Sequence, residues 1–388
     1  MVITLVMDQY GDTSNGTTVT AMRLAEHMRR KGHTVRIVTS VENVKEDNVF
    51  VVPEWGIKPV KKIVHSQGMK LAKADKEVLT KAIVGADIVH FFLPFGLEKA
   101  GKEIADAYHI ASSAAFHVQP ENITYSIKLN KLEIVHKALY KWFEQFYNKF
   151  GHIHCPSRML KDILDGYEYK AQKHVISNGV SEYFVKTQSE RPSEYDGKYL
   201  ILMSGRFSRE KRQDLIIEAV AASKYRDEIQ LIFCGKGPWE NKLKKKAEKA
   251  GLKNLPVFKF CNQQELRETI NYCDLYVHAS DIEIEAISCM EAFACGLVPV
   301  ISDSKLVATK QFALDERNLF AHGNAESLRE KIEYFIEHPE EKDELSKKYI
   351  EYAENYRVEN CVNEMEKMFE TVIAENKQQW GDKVGIAQ

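Results

Sequence analysis

Short apolar runs alternate with stretches of helical periodicity over almost the whole chain. In the first half the strand-like runs lie at 2–8 (VITLVMD), 34–40 (TVRIVTS) and 86–95 (ADIVHFFLPF). Amphipathic patterns over 17–33 and 97–109 follow the first and the last of these runs. Strands that alternate with helices predict parallel sheets wound by right-handed crossovers.

The same alternation starts again in the second half. Its strand-like and helical runs lie, in turn, at 198–205, 212–225, 229–237, 238–251, 255–260, 263–273, 274–280 and 298–302. Two such series predict an α/β protein with two doubly wound domains, residues 1–175 and 199–359. The polar segment 176–198 contains glycine and proline without periodicity and is predicted to be the linker. A long amphipathic helix is predicted over 360–380.

Composition is that of an ordinary globular protein, with 44% hydrophobic and 28% charged residues in a chain of 388. The N-terminal residues lack a basic segment and a small-residue cleavage site, so no signal peptide is expected. No apolar run has the length of a membrane span, and a cytoplasmic location is expected. The seven cysteines show no paired short spacing, which favours reduced thiols over a disulfide framework or a zinc site.

The net charge of −2 is unevenly distributed. Residues 1–175 hold 24 Lys and Arg against 19 Asp and Glu, whereas the remainder holds 30 against 37. Most of the first-half excess lies in 56–81 and 126–150. This asymmetry predicts an anionic surface as a partner of the first half, and no nucleic acid is expected.

Segment 126–150 combines an apolar stripe with basic residues. The apolar positions are Leu129, Leu132, Val135, Leu139, Trp142, Phe143 and Phe146, and the basic ones are Lys128, Lys131, Lys137, Lys141 and Lys149. Such a helix suits a peripheral position on an anionic bilayer. A core helix whose lysines extend to solvent is the ordinary structural alternative.

Ligands of doubly wound sheets bind beyond the carboxyl ends of the strands, where loops lead into helices. The first such loop, 8–18, carries Gly11 and Gly16 among small residues and could approach a phosphate or a sugar, although a plain turn is equally compatible. It is not G-x-G-x-x-G, which argues against a nicotinamide-dependent dehydrogenase.

Two further loops stand at strand ends in the second half. In 204–214, Arg206 and Lys211 precede a helix, where an anion would satisfy both cations and the helix N-terminus. A solvated basic turn is the alternative. In 234–240, Gly235, Gly237 and Pro238 allow either a tight structural turn or a close approach to a ligand.

The fourth loop, Asp281 to Gly296, places carboxylates in an apolar run. A helix starting near Glu285 puts Ile287, Glu291 and Ala294 on one stripe. An ionised Glu291 on an apolar face is costly unless something binds it, and a polyol such as a ribose would do so. Helix capping would explain Glu283 or Glu285, but Glu291 lies too far into the helix.

These motifs together resemble those of the retaining glycosyltransferases of family 4, which have the GT-B fold. The resemblance rests on GR-x(4)-K (Gly205, Arg206, Lys211), on G-x-GP (235–238) and on E-x(7)-E (Glu283, Glu291). The last motif runs on into EAFACGLVPVIS. In the first half, Gly16, ADIVHFFLPF and the histidine of AFHVQPEN fit as well, so that the resemblance covers nearly the whole chain.

The resemblance implies two Rossmann-like domains that face a cleft, with the C-terminal helix crossing back to the first domain. It also implies a nucleotide-sugar donor, with Arg206 and Lys211 at the diphosphate, Glu291 at the ribose and Glu283 at the sugar. The donor site would further include Gly16, Gly237, Ala286 and Ile287. His117 would contact the donor sugar or the acceptor, and a buried histidine bonded to the backbone is its structural alternative.

The implied activity is that of a retaining hexosyltransferase that needs no metal or other cofactor. UDP-glucose is the expected donor and a lipid or saccharide the expected acceptor, as in the diacylglycerol glucosyltransferases. The chain departs from the family at Glu285 and Ala286, where an aromatic residue and a glycine are usual. An added charge and methyl group beside a diphosphate are expected to narrow the donor pocket, and they leave a degenerate partner subunit open as an alternative. A sugar-nucleotide epimerase of the same two-domain fold is a second alternative.

Overall fold

Parallel strands form two separate sheets, one in each of two compact units. The first unit comprises Met1–Ser177 with Glu359–Gln388, and the second comprises Asn178–Val358. Most of the segment predicted as a linker, 178–198, thus belongs to the second unit. The structure, a computed structural model, describes residues 1–11, 16–56, 58, 61, 65, 70–126 and 132–385.

Within the described residues, the first unit contains a seven-stranded parallel sheet. Its strands lie in the order β3-β2-β1-β4-β5-β6-β7 and are β1 (Val2–Val6), β2 (Thr34–Thr39), β3 (Val49–Val51), β4 (Ile88–Phe91), β5 (Ala111–Ala115), β6 (His152–Cys155) and β7 (Gln172–Val175). Strands β1 and β4 occupy the centre and are buried, which explains their apolar sequences.

Helices connect these strands and cover the sheet. They are α1 (Gly16–Arg30), α2 (Lys76–Ile83), α3 (Gly96–Ala107), α4 (Pro120–Ser126), α5 (Glu133–Tyr147) and α6 (Arg158–Gly166). The C-terminal helix, which we label α13 (Val358–Trp380), belongs to the first unit from Glu359 onward. Its Met365, Met368 and Phe369 are buried, and Glu366 pairs with Lys31 at 2.6 Å. An apolar face and an ion pair therefore hold this helix in the first unit.

The second unit contains a six-stranded parallel sheet within the described residues. The strands lie in the order β10-β9-β8-β11-β12-β13 and are β8 (Tyr199–Ser204), β9 (Ile229–Cys234), β10 (Val257–Lys259), β11 (Leu275–His278), β12 (Pro299–Ser302) and β13 (Leu319–Phe320). The helices are α7 (Gln213–Ala222), α8 (Glu240–Lys249), α9 (Gln263–Tyr272), α10 (Ile287–Ala294), α11 (Ala325–Glu337) and α12 (Pro339–Ala353).

Each sheet contains one point at which the strand order reverses. In the first unit it lies between β1 and β4, and in the second it lies between β8 and β11. The loops that leave two such neighbouring strands run to opposite faces of the sheet, which opens a crevice at the carboxyl edge. Chemistry-bearing residues are therefore expected in the loops after these four strands.

Helix α5, part of the segment 126–150, shows features of both predicted alternatives, a core helix and a helix on a membrane surface. Tyr140, Phe143, Phe146 and Tyr147 of α5 are buried in the core of the first unit. By contrast, Leu132, Ile134 and Trp142 are exposed, and Ile134 is 77% exposed.

Parts of the two basic segments, including Lys128, Leu129 and Lys131, lie outside the described residues. Among the helices that the structure does describe, none combines the length and the apolarity that crossing a membrane requires.

Two carboxyl groups meet at the strand-order reversal of the first unit. Asp8 follows β1 and Glu98 lies in the first turn of α3, and both are fully buried. Oδ1 of Asp8 accepts the N–H of Ala72 at 2.5 Å, whereas its Oδ2 and both Glu98 oxygens have no donor among the described residues. A proton between the two carboxyl groups joins one oxygen of each in a hydrogen bond.

Burial raises the pKa of Asp8 to about 6, and burial followed by the charge of Asp8 raises the pKa of Glu98 well above its usual range. Both groups thus keep a proton in the folded protein at pH values where the unfolded chain has lost it. The stability of the protein should therefore fall as pH rises from 3.8 through about 6. A carboxyl group whose pKa is raised by folding makes the protein less stable as pH rises. An ion-paired carboxylate, whose pKa is lowered, has the opposite effect.

We predict that Glu98→Gln flattens this pH dependence, because an amide donates to Asp8 without a shared proton. The measurement is urea unfolding followed by circular dichroism over the same pH range. The free energy of unfolding of the wild type should fall by on the order of 2 kcal/mol, and that of the variant should not. Glu103→Gln, an exposed position on the same helix, should behave like the wild type. Equal pH slopes for Glu98→Gln and wild type would rule out the shared proton.

Candidate active site

The strand-order reversal of the second unit brings two predicted site residues into direct contact. Lys211 ends the short 3₁₀ turn Arg209–Lys211 after β8, and Glu283 lies in the loop after β11. Nζ of Lys211 donates a hydrogen bond to Oε2 of Glu283. Residues 72 positions apart in sequence thus meet because β8 and β11 are neighbours in the sheet.

The backbone of Glu283 is fixed from both sides. Its N–H donates to the carbonyl of Leu306 at 3.0 Å, and its own carbonyl accepts the N–H of Ala308 at 2.9 Å. These two bonds attach the loop after β11 to the segment that follows β12. The carboxylate is consequently held in place by the backbone as well as by its ion pair.

A third group, His278 at the end of β11, completes this cluster. Its Nε2 lies 3.5 Å from Oε2 of Glu283, and the imidazole is completely buried. Burial alone would raise the pKa of Glu283, but the charge of Lys211 and the adjacent His278 imidazole outweigh it and lower the pKa to about 2. Burial lowers the pKa of His278 itself. Glu283 is therefore an ionised hydrogen-bond acceptor at neutral pH.

Glycines let the loops after β8 and β9 pack against each other. A Cβ at Gly237 would lie 2.2 Å from the carbonyl oxygen of Phe207, and one at Gly235 would lie 2.0 Å from that of Gly205. The Phe207 N–H donates to the carbonyl of Lys236 at 3.0 Å. Only glycine fits at both positions, which gives Gly235 and Gly237 a packing role in shaping this edge.

Arg206 lies in the same loop as Lys211, and its side chain is half-buried. Its backbone carbonyl accepts Nε2 of Gln213 at 3.0 Å, which fixes the loop against the start of α7. Arg212 adopts a left-handed conformation (φ 55°) and donates to Asp281 at 3.2 Å. Asp281 also lies 2.9 Å from His322 Nε2.

Sequence reasoning missed His278, Arg212 and His322 in this region. His278 had a usable signal, since it ends an apolar strand at the carboxyl edge. Arg212 and His322 had none, because their shared contact with Asp281 depends on chain segments 69 and 41 residues away from it.

Helix α10 begins two residues beyond Glu285, close to the predicted position. Ala286 precedes the helix in the left-handed region (φ 66°), a conformation that is costly for any residue with a Cβ. Ile287 is the first helical residue, and Glu291 lies in the middle of the helix and is only 8% exposed. The predicted carboxylate on a buried face is thus present.

The Glu285 side chain does not present an added charge to a ligand at the start of α10. Its side chain is 2% exposed, and its Oε2 accepts the backbone N–H of Asn178 at 2.9 Å. The expectation that this charge narrows a donor pocket is therefore replaced by a structural role. Glu285 fixes the segment with which the second unit begins.

The two site residues predicted in the first half belong to the first unit. Gly16 is the exposed first residue of α1, and the preceding residues 12–15 lie outside the described part of the chain. His117 follows β5, is buried, and stacks on Phe92 with ring centroids 5.7 Å apart. His154 packs edge-on against it at 5.3 Å.

Burial, followed by the neighbouring imidazoles of His154 and His90, lowers the pKa of His117 well below its usual range. Nε2 of His117 has no hydrogen-bond partner among the described residues. The ring is therefore neutral at physiological pH and offers a hydrogen bond. No group of three or more His, Cys, Asp or Glu side chains converges as metal ligands within the described ranges.

Comparison with known proteins identifies the family of both halves. The model of the glycosyl transferases group 1 matches residues 184–356, and that of glycosyltransferase family 4 matches residues 14–182. The α-monoglucosyldiacylglycerol synthase of Streptococcus pneumoniae is 25% identical over 80% of this chain and 74% of its own length.

Two solved structures are also similar. The sucrose-phosphate synthase of Thermosynechococcus elongatus superposes with a TM-score of 0.74 at 16% identity, covering 96% of this chain and 99% of that one. The catalytic domain of cholesterol-α-glucosyltransferase from Helicobacter pylori is 48% identical, with a TM-score of 0.40, and covers 41% of this chain and 98% of that domain. With both of its halves matched by these models, the chain belongs to the glycosyltransferases of family 4 and has the GT-B architecture of two Rossmann-like domains.

Proposed function

We propose that the protein transfers glucose from UDP-glucose to the hydroxyl group of a membrane lipid, with diacylglycerol as the acceptor and with retention of configuration. The observation that carries this proposal is the Lys211–Glu283 pair at the strand-order reversal of the second unit. It supplies a fixed cation for a diphosphate and a fixed anion for sugar hydroxyls at the place where doubly wound sheets bind ligands.

The donor diphosphate would lie against Lys211 and Arg206. At the start of α10, the N–H groups of Ile287 and Ser288 have no partner within the helix and favour an anion. Stabilising charge that develops on the leaving group is often the largest contribution to catalysis. Here the cationic side chains and the helix start would supply it without a divalent metal ion.

The two glutamates would bind the neutral parts of the donor. Glu283 remains ionised because its pKa is about 2, so it accepts hydrogen bonds from sugar hydroxyls and does not serve as a general acid. Its charge is already balanced by Lys211, which makes it a weak nucleophile. Glu291, buried within α10, would accept hydrogen bonds from the ribose.

In the transfer step, the bond from sugar C1 to the leaving phosphate oxygen breaks as the acceptor oxygen bonds to C1 on the same face. The departing phosphate takes the proton of the acceptor hydroxyl. No protein base or nucleophile is needed, which suits the ion-paired carboxylate of Glu283 in the second unit. His117 would donate or accept one hydrogen bond at a sugar or acceptor hydroxyl.

A lipid acceptor is supported by the glucosyldiacylglycerol synthase relative and by the exposed side of α5. Ile134 and Trp142 are exposed there, as are Lys137 and Lys141. Apolar side chains beside lysines suit an anionic bilayer surface. Transfer is favoured over epimerisation because the relative is named as a synthase of a glucosylated lipid.

Lys211→Ala should lower kcat/KM with UDP-glucose by about 10²–10³-fold, the usual effect of removing one group that stabilises a leaving-group charge. The measurement is transfer of radiolabelled glucose to diacylglycerol in mixed micelles, with cholesterol as a second lipid alcohol in the panel. Magnetic resonance of the product would establish its anomeric configuration.

Lys347→Ala, which removes an exposed lysine of α12, is the matched control and should leave transfer unchanged. UDP at about 100 times its Kd should also stabilise the wild type by roughly 2.7 kcal/mol, and Glu291→Ala should abolish this shift. Stabilisation by GDP but not by UDP would show that the donor is a GDP-sugar and not UDP-glucose. No shift with any nucleotide would refute donor binding.

EDTA should leave the transfer rate unchanged, and added Mg²⁺ or Mn²⁺ should not increase it. The physical reason is that Arg206, Lys211 and the start of α10 supply the positive potential that a metal ion provides in other transferases. Initial rates before and after chelation test this directly. Loss of activity with EDTA and its recovery with either cation would contradict the proposal.

The double variant Lys137→Ala/Lys141→Ala should bind vesicles containing phosphatidylglycerol about 10- to 30-fold more weakly, since each lysine near an anionic surface contributes about 1 kcal/mol. Sedimentation with vesicles measures the effect. Lys347→Ala/Lys348→Ala removes two exposed lysines from α12 and should bind as the wild type does. Equal binding of the wild type to phosphatidylcholine and phosphatidylglycerol vesicles would refute an electrostatic contribution to membrane binding.

A further inference from the structure

Two cysteines of the second unit lie in contact beside the glycine loops. Cys234 is the last residue of β9, and Cys261 follows β10 by two residues. Their sulfur atoms are 2.9 Å apart and share a hydrogen bond. The register of the two strands places Cys234 opposite Lys259, so this contact is fixed by strand pairing.

The two thiols differ in acidity and in exposure. The hydrogen bond with Cys234 is the largest effect on the pKa of Cys261 and, with the nearby charge of Lys259, lowers it to about 7. The same contact and burial raise the pKa of Cys234. Cys261 is half-exposed, whereas Cys234 is buried. A partly exposed thiol of lowered pKa therefore lies in contact with a second, buried thiol, the environment in which cysteines become reactive.

The other cysteines lack these properties. Burial raises the pKa of the thiols of Cys155, Cys273, Cys289 and Cys295. Cys361 is buried in α13. Oxidation is expected to select Cys261 because reactivity follows thiolate character and exposure.

We propose that Cys234 and Cys261 form a reversible disulfide when the protein meets a hydroperoxide. The Cys261 thiolate attacks one peroxide oxygen, the oxygen–oxygen bond breaks, and the leaving oxide takes up a proton to form water or an alcohol. The resulting sulfenic acid is attacked by Cys234, which loses its proton, and the sulfenic oxygen leaves as water. Both cysteines are oxidised, and one peroxide is reduced.

The disulfide would act on the loops that shape the donor site. The carbonyl of Cys234 accepts the N–H of Gly205 at 2.9 Å, and the Gly235 N–H donates to Lys259 at 2.8 Å. Phe260, 62% exposed, precedes Cys261, and its ring lies 3.9 Å from Nζ of Lys236. Bond formation must bring the sulfurs about 0.9 Å closer, in residues that take part in or adjoin these contacts. We expect weaker donor use, a consequence that rests on the proposed function.

The test is to expose the reduced protein to hydrogen peroxide, block the remaining thiols with maleimide and map the peptides without reduction. A peptide pair joined through Cys234 and Cys261, lighter by two hydrogen atoms and separated again by dithiothreitol, is the expected result. Cys234→Ala removes the hydrogen bond that lowers the pKa of Cys261, so its oxidation is run at raised pH, where Cys261 is again a thiolate. The sulfenic acid then formed on Cys261 should persist and react with dimedone. Cys361→Ala retains both thiols and should form the bond as the wild type does.

Oxidised protein should show about a tenfold lower kcat/KM with UDP-glucose, restored by dithiothreitol, because displacements approaching 1 Å at positioning elements cost rate strongly. The peroxide-treated Cys234→Ala variant separates loop constraint from simple thiol oxidation. Absence of the joined peptide while UDP still binds the reduced protein would overturn the disulfide. Its presence in a protein that binds no nucleotide would instead refute the proposed function and leave the disulfide standing.

Discussion

The ion pair between Lys211 and Glu283 is the interaction on which the candidate site depends. Removing an ionised carboxylate from water is expensive, and Glu283 remains charged only because Lys211 and His278 compensate for its burial. Each partner comes from a different strand of the switch point. The pair consequently ties together two loops that the sheet topology sends in opposite directions.

The backbone around this pair is arranged to leave its side chains in place. Leu306 and Ala308 hold the backbone of Glu283, and Gln213 holds the carbonyl of Arg206. Gly235 and Gly237 let the neighbouring loop approach without a Cβ. A site preorganised in this way has little to reorganise when charge develops on a leaving group, which is how electrostatic catalysis works.

The fold and the main motifs could be predicted from the sequence for a physical reason. Buried parallel strands such as β1 and β4 appear as apolar runs, and the alternation with helices leaves few possible topologies. Glu291 was detectable because it interrupts an apolar helical stripe. The role of Glu285 was not, because its partner Asn178 is 107 residues away and no local pattern encodes that contact. The Asp8–Glu98 and Cys234–Cys261 contacts were hidden for the same reason.

The two units solve the same electrostatic problem in different ways. Beside the strand-order reversal of its sheet, each unit buries a carboxyl group beyond a central strand. The first unit relieves the burial of Asp8 and Glu98 with a shared proton, and its His90, His117 and His154 stay neutral since burial is the largest effect on each. The second unit uses the lysine cation instead. A cationic side chain suits a diphosphate, whereas neutral imidazoles suit the uncharged hydroxyl groups of a sugar or a lipid. In the proposed transfer reaction, these are the leaving group and the groups that bind or accept the sugar.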